Sequence, residues 1–206
     1  MGKCVEKYTT IYVALGTILG VGLILLLAPS HSLKQLHAAN GAATIVRQAD
    51  EICSESFLHC TALTQPIYHS KYYWAGPRSQ PYDVWETTGI TDSGPVQMIF
   101  DAHSNDLTYF NRENYQVVED STVPVTVPNK TQAAFASANI LQTLHLIPRG
   151  ASLRLAIAPH LLWEGSVWET VWIVHSPHQS SFRVSLTIAK RGGYLLNLIK
   201  RRLPSS

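Results

Sequence analysis

One feature constrains this fold more than any other: an alternating hairpin pattern that occurs twice. "PVQMIFDAHSNDLTYFNRE" (residues 95–113) alternates apolar and polar residues toward a short polar break at His103–Asp106, then resumes. "RVSLTIAKRGGYLLNLIKRR" near the C-terminus repeats the design, and Val96–Arg112 aligns on Val184–Lys200 without a gap at an offset of 88 residues. Strict alternation over this length reads as strand, turn, strand. Ser104-Asn105 falls on Gly192-Gly193, and both pairs can supply the left-handed backbone of a two-residue hairpin.

The surroundings repeat as well. "GAATIVRQADEICSES" carries Ile45, Ala49, Ile52 and Ser56 at helical spacing, and four strand candidates follow: "PIYHSKYYW", "YDVWET", "PVQMIFDA" and "LTYFNRE". After the proline-bearing "DSTVPVTVPN" comes a second helix, opened by the cap pair Asn129 and Gln132 and closed by Pro148 and Gly150. Its strand candidates are "SLRLAIAP", "VWETVWIV", "FRVSLTIA" and "YLLNLIK". Trp85 falls near Trp172, and Ile45/Ala49/Ile52 falls on Ala134/Ala138/Leu141. The fold class is therefore α+β, with two tandem helix-plus-four-stranded antiparallel units over 30–120 and 129–202, a linker over 121–128 and a tail over 203–206.

Residues Ile11–Pro29, "IYVALGTILGVGLILLLAP", contain no charge. At about 1.5 Å per residue they just span a hydrocarbon core of about 30 Å. Lys3 and Lys7 precede them, which favours a cytoplasmic 1–10 and an extracytoplasmic remainder, a single-pass protein of the cell membrane. A cleaved signal peptide and a buried core helix are the competing readings. Gly16-x-x-x-Gly20 offers a helix-packing face.

Cys53 and Cys60 are seven residues apart. On one continuous helix they would stand about 10 Å apart along the axis, too far for a disulfide. If the helix ends between them, a bridge becomes possible; the plainer reading is two half-buried free thiols.

No G-x-S-x-G, S-x-x-K, H-E-x-x-H, C-x-x-C or P-loop is present. His175 and His178 share a proline-containing turn without further ligands nearby in sequence. Asp83 and Glu86 point to opposite faces of a strand, and Asp101 and Asp106 flank a turn, where Asp serves the backbone. Trp85, Trp163, Trp168 and Trp172 read as core. Neither enzyme chemistry nor a cofactor or metal is expected.

The hairpin "IFDAHSNDLTYF", with Asp101-Ala102 before the turn and Asn105 in the turn, resembles PepSY-type domains. The second copy has Gly193 in the turn but Ala189 where the Asp would stand. With one N-terminal apolar segment and two such units, the arrangement over Ala39–Arg202 is similar to the cell wall elongation regulator family called TseB-like. That resemblance implies a non-enzymatic extracytoplasmic module. Its partner would be a cell-envelope protein such as a cell-wall synthase or peptidase.

Charge is unevenly distributed. Eight acidic residues and one basic residue, Arg112, lie between Asp83 and Asp120, whereas nine basic and two acidic residues follow from Ser121 onward. In a two-residue hairpin register Arg183 stands opposite Arg202, with Lys200 on the same face. Like charges directly opposite are unfavourable, so Arg183, Lys200 and Arg202, joined by Lys190, Arg191 and Arg201, are the candidate surface for an anionic partner: a protein, an anionic lipid or a wall polymer. Nucleic acid is not expected outside the cytoplasm.

Overall fold

The computed structural model describes residues 29–58, 60–72, 82–91, 94–112, 122–177 and 180–203. The cytoplasmic stretch 1–10 and all of the anchor 11–29 except Pro29 lie outside them. No helix among the described residues is long and apolar enough to cross a membrane.

Helix α1 (Pro29–Ser54) leads into strands β1 (Cys60–Leu63), β2 (Ile67–Tyr72), β3 (Tyr82–Thr91), β4 (Gly94–Asp101) and β5 (Leu107–Arg112). Helix α2 (Lys130–Thr143) is followed by β6 (Ser152–Leu162), β7 (Val167–His175), β8 (Phe182–Ala189) and β9 (Leu195–Arg202). Both predicted helices form. Asn129 caps α2, its side-chain oxygen accepting from the Gln132 amide at 3.0 Å. The four strand candidates of the second half all appear. The first half has five strands, because "CTAL" adds β1.

The sheet differs from the expectation. Two separate four-stranded sheets were predicted; the described residues form one nine-stranded antiparallel sheet, ordered β1-β3-β4-β5-β9-β8-β7-β6, with β2 also on β3. The halves join where β5 pairs with β9 over Tyr109–Ile199, Phe110–Leu198 and Asn111–Asn197. Each half alone would leave an unpaired strand edge at this point, and pairing the two edges satisfies both.

Several local features recur at the 88-residue shift. It carries the loop-closing pair Asp101/Asp106 onto Ala189/Tyr194, and in each the first amide donates to the second carbonyl at 2.9 Å. It also carries the β-bulge between Ile99 and Phe100 onto the bulge between Thr187 and Ile188. Buried Ile45, Ala49, Ile52 and Cys53 on α1 map onto buried Ala133, Ser137, Ile140 and Leu141 on α2. The sequence alignment of the helices was thus one residue out. Ala134 and Ala138 are half-buried, while Ala133 and Ser137 face the sheet. The Trp85–Trp172 match also slides: Trp85 pairs with Phe100, and the residue paired with the equivalent Ile188 is Trp168.

The hairpin loops are four residues, not two. Asn105, Gly192 and Gly193 take the left-handed backbone, with φ of 58°, 71° and 70°. The longer loop and the bulge move the β8·β9 register by one residue. Arg183 stands opposite Arg201, Phe182 opposite Arg202, and Val184 opposite Lys200.

Helices α1 and α2 lie on the same sheet face. One buried cluster runs from Ile45 and Ile52 through Met98, Phe100 and Phe110 to Leu198, Leu186, Trp172 and Leu141, spanning both halves. Of the four tryptophans read as core, Trp85, Trp168 and Trp172 are buried and Trp163 is exposed; Trp172 Nε1 donates to Ser137 Oγ at 2.9 Å and Trp168 Nε1 to the Val127 carbonyl at 2.7 Å.

Cys53 and Cys60 form a disulfide, with Cα atoms 4.7 Å apart. Helix α1 stops at Ser54, so the chain turns back before Cys60, and the free-thiol reading is corrected.

Candidate functional site

On β7 and β8 the even-numbered residues face the helices, so the odd-numbered ones line the reverse face. There Arg154 on β6 pairs with Ile173 on β7, Ile173 with Arg183 on β8, and Arg183 with Arg201 on β9. Adjacent strands lie about 4.8 Å apart, so the guanidinium stems occupy one cross-strand row, about 5 and 10 Å from Arg183. All three arginines are exposed. None has a carboxylate partner among the described residues.

The neighbouring rows add no negative charge at this end. One side holds Ile157, Val171, Ser185 and Ile199, and the other holds Ser152, His175 and Ser181. Three uncompensated cations at this spacing form a strip suited to oxyanions, which guanidinium groups bind in a bidentate manner.

The structure separates the residues nominated from sequence. Arg183 and Arg201 belong to the row. Lys200 is on the helix-bearing face, where its Nζ lies 2.7 Å from Asp106 Oδ2 and 4.3 Å from the centre of the Phe182 ring. With its side chain only 13% exposed, Lys200 is internally neutralised and is removed from the candidate surface. Arg202 is exposed on the side of Phe182. Lys190 and Arg191 sit in the β8–β9 loop at the opposite sheet end, and Arg191 Nη1 donates to the Val123 carbonyl at 2.7 Å. Arg154 was missed. Its alternation with Leu153 and Leu155 was legible, but which strand it would neighbour was not.

A polar row crosses the same reverse face: Thr88, Gln97, Asn111, Asn197, Thr187, Glu169 and His160 are paired in succession. His160 Nε2 lies 3.0 Å from Glu169, and in the first half His69 Nε2 lies 2.9 Å from Glu86. Gln97 Nε2 donates to Glu86 at 2.6 Å. Asn197 Nδ2 donates to Asn111 Oδ1 at 3.2 Å, so the charged and amide groups here are engaged with one another, whereas no ion pair among the described residues involves the arginine row.

On the helix side a cleft of about 280 Å3 is lined by Gln48, Glu51, Ile52, Glu55, Phe100, Asp106, Leu144 and His145 among others. Two of its carboxylates are already engaged, Glu51 by Arg47 at 3.0 Å and Asp106 by Lys200. The other acidic candidates serve structure. Asp101 Oδ1 accepts from the His103 and Ser104 amides, and Asp83 accepts from the Tyr68 hydroxyl at 2.7 Å. That hydrogen bond, with burial and the Asp83 charge behind it, pushes the Tyr68 phenol above its ordinary pKa. His175 Nδ1 lies 3.2 Å from Ser181 Oγ, and His178 lies outside the described residues.

No family model and no curated protein sequence matches this chain. Among solved structures it is similar to the Bacillus megaterium YpeB C-terminal domain. Sequence identity is 10%, the match covers 79% of this chain and 68% of the other, and the TM-score is 0.48.

Proposed function

We propose that this chain is a membrane-anchored, extracytoplasmic binding protein that works without catalysis. In this reading it comprises two tandem PepSY-like units and regulates a cell-envelope protein such as a cell-wall synthase or peptidase. The observation that carries the reading is the row Arg154, Arg183 and Arg201, exposed and without a counter-ion among the described residues. Like charges directly opposite on neighbouring strands, as Arg183 and Arg201 are, cost the sheet stability, and a bound anion offsets that cost.

Three further observations support the proposal. The Cys53–Cys60 disulfide belongs to an oxidising compartment. The uncharged run Ile11–Pro29 after Lys3 and Lys7 has the length and flanks of an anchor with a cytoplasmic N-terminus. The shared loop, bulge and buried helix positions at the 88-residue offset fit a duplicated unit.

A second reading, accessory subunit of a membrane complex, is favoured by Gly16-x-x-x-Gly20. In-membrane cross-linking from positions beside the arginine row, followed by mass spectrometry, tests the first reading. A reproducible envelope-protein adduct that is lost in the Arg154→Gln/Arg183→Gln/Arg201→Gln variant supports it. An unchanged adduct pattern counts against it. Exchange of residues 11–29 for an unrelated apolar helix separates the two readings, because only the subunit requires its own anchor.

A further inference from the structure

We infer that the anion facing the arginine row is the headgroup surface of an anionic bilayer, so that the sheet end bearing the row rests on the membrane. The inference deepens the anchored reading and depends on it. It starts from where the chain enters the folded unit. Gly41 of α1 lies against the Trp85 indole, so close that a Cβ there would stand 3.0 Å from Cζ2. Trp85 pairs with Phe100, beside the Asp101–Asp106 loop. By Phe57, past the end of the helix, the chain has reached the other end of the strands. There the Phe57 carbonyl accepts from the Leu195 amide at 3.3 Å, and the Leu58 carbonyl accepts from Arg112 Nη2 at 2.7 Å. The chain therefore enters at the sheet end formed by the β4–β5 loop, the end of β7, the start of β8 and the end of β9.

The unpaired cations stand at that same end. Arg154 is near the start of β6, Arg183 near the start of β8, and Arg201 and Arg202 close β9. The carboxylates on the sheet at that end are Asp83, Asp101 and Asp106, each already serving Tyr68, the loop amides or Lys200; Glu51 and Glu55, in the cleft beside Asp106, lie on the helix-bearing face and not on the face of the row. At the opposite end charge is mixed: Lys190 and Arg191 in one loop, Glu164 in the neighbouring one. The exposed arginines of the row thus stand at the sheet end where Gly41 begins the folded unit.

The tether is short. Between the apolar run ending at Pro29 and Gly41 the chain is helical, and those twelve steps cover at most about 18 Å. Headgroups extend several ångströms beyond the hydrocarbon, the screening length is about 8 Å, and arginine side chains reach outward from the sheet. Basic residues close to an anionic leaflet are attracted to it individually and additively.

The test uses the full chain reconstituted into two sets of vesicles, neutral phosphatidylcholine and the same lipid with about one third phosphatidylglycerol. Flotation reports the anchor, and amide hydrogen exchange reports the row. The inference expects flotation with both sets. It also expects exchange at residues 181–183 and 201–203 at least about threefold slower on the anionic set. That difference should vanish in 0.5 M salt (about a 4 Å screening length) and in Arg154→Gln/Arg183→Gln/Arg201→Gln, and persist when the same residues become Lys. Equal exchange on both sets overturns the inference, as does a difference that survives salt or the Gln variant. Protection in native membranes but on neither vesicle set identifies the anion as a protein and also overturns it. If the chain fails to float with neutral vesicles, the anchored reading fails. Salt-sensitive flotation with anionic vesicles alone then upholds the cationic docking, and no flotation with either set refutes both. Exchange in β4 checks that the Gln variant is folded; if it is not, the Lys variant and the salt series decide.

Discussion

Replacing Phe110 with Ala tests whether the two halves form one cooperative core. Phe110 is fully buried and stands opposite fully buried Leu198 at the centre of the three-residue β5·β9 junction. The 88-residue shift carries Phe110 onto Leu198, so this pair lies where the two halves meet most symmetrically. Removing a buried phenyl ring costs about 3–5 kcal/mol, from lost transfer energy and the cavity left behind. For a folded unit of this size, each kcal/mol moves Tm by about 2–4 °C, so the midpoint should fall by roughly 6–20 °C. Fluorine labelling marks all five tryptophans, and the NMR signals of Trp85 in the first half and of Trp168 and Trp172 in the second report on the core. All three lie in the same buried cluster. The urea midpoints reported by Trp85 and by the Trp168/Trp172 pair should coincide in the parent and shift together in Phe110→Ala. A shift at Trp85 with Trp168 and Trp172 unmoved would show two independently folding units and refute the single core.

Other changes should act more locally. Reducing the Cys53–Cys60 bridge, or Cys53→Ser with Cys60→Ser, opens a loop of about eight residues and should cost about 2–3 kcal/mol by chain entropy, measured by urea unfolding with and without reductant. Because folding raises the Tyr68 pKa, that group's stabilisation is complete below about pH 10 and is lost as pH rises through the folded value. Tyr68→Phe should therefore flatten the alkaline limb of a Tm-versus-pH curve. Asp106→Asn leaves a mostly buried Lys200 without its carboxylate and should cost about 1–3 kcal/mol, whereas Lys200→Met, which keeps the stem over Phe182, should cost less.

What was legible in the sequence was periodicity. The alternation of "VQMIF" and "VSLTI" placed β4 and β8, and the capping pair Asn129/Gln132 placed the start of α2. Topology was not, because a strand's pattern says which residues share a face and nothing about which strand lies beside it. The β5·β9 contact joins segments 86 to 90 residues apart, and no local signal in "TYFN" or "LNLI" announces it. Strand β1 was missed for a related reason. Its register on β3 breaks between Cys60 and Ala62, and its position depends on where the Cys53–Cys60 bridge returns the chain.

The candidate site turned on a single residue of register. With two residues in the β8–β9 turn, Lys200 and Arg202 would share a face with Arg183. The four-residue loop closed by Ala189 and Tyr194, and the bulge at Thr187/Ile188, instead put Arg201 beside Arg183 and turn Lys200 inward. A one-residue slip exchanges every side chain between faces, so the charge count in "IKRR" was informative while the identity of the presented charges was not. The inward placement of Lys200 has its own logic. Its stem covers Phe182 and its ammonium reaches Asp106, a residue of the acidic half, so one cation of the basic strand ties the halves together. The arginines beside it have no such internal role. A buried or neutralised cation can be explained by the fold alone, whereas Arg183 and Arg201 oppose each other directly at a cost to the sheet, with Arg154 in the same row beyond Ile173. That contrast, within one hairpin and its neighbours, separates the charges the fold uses from those available to an anionic surface.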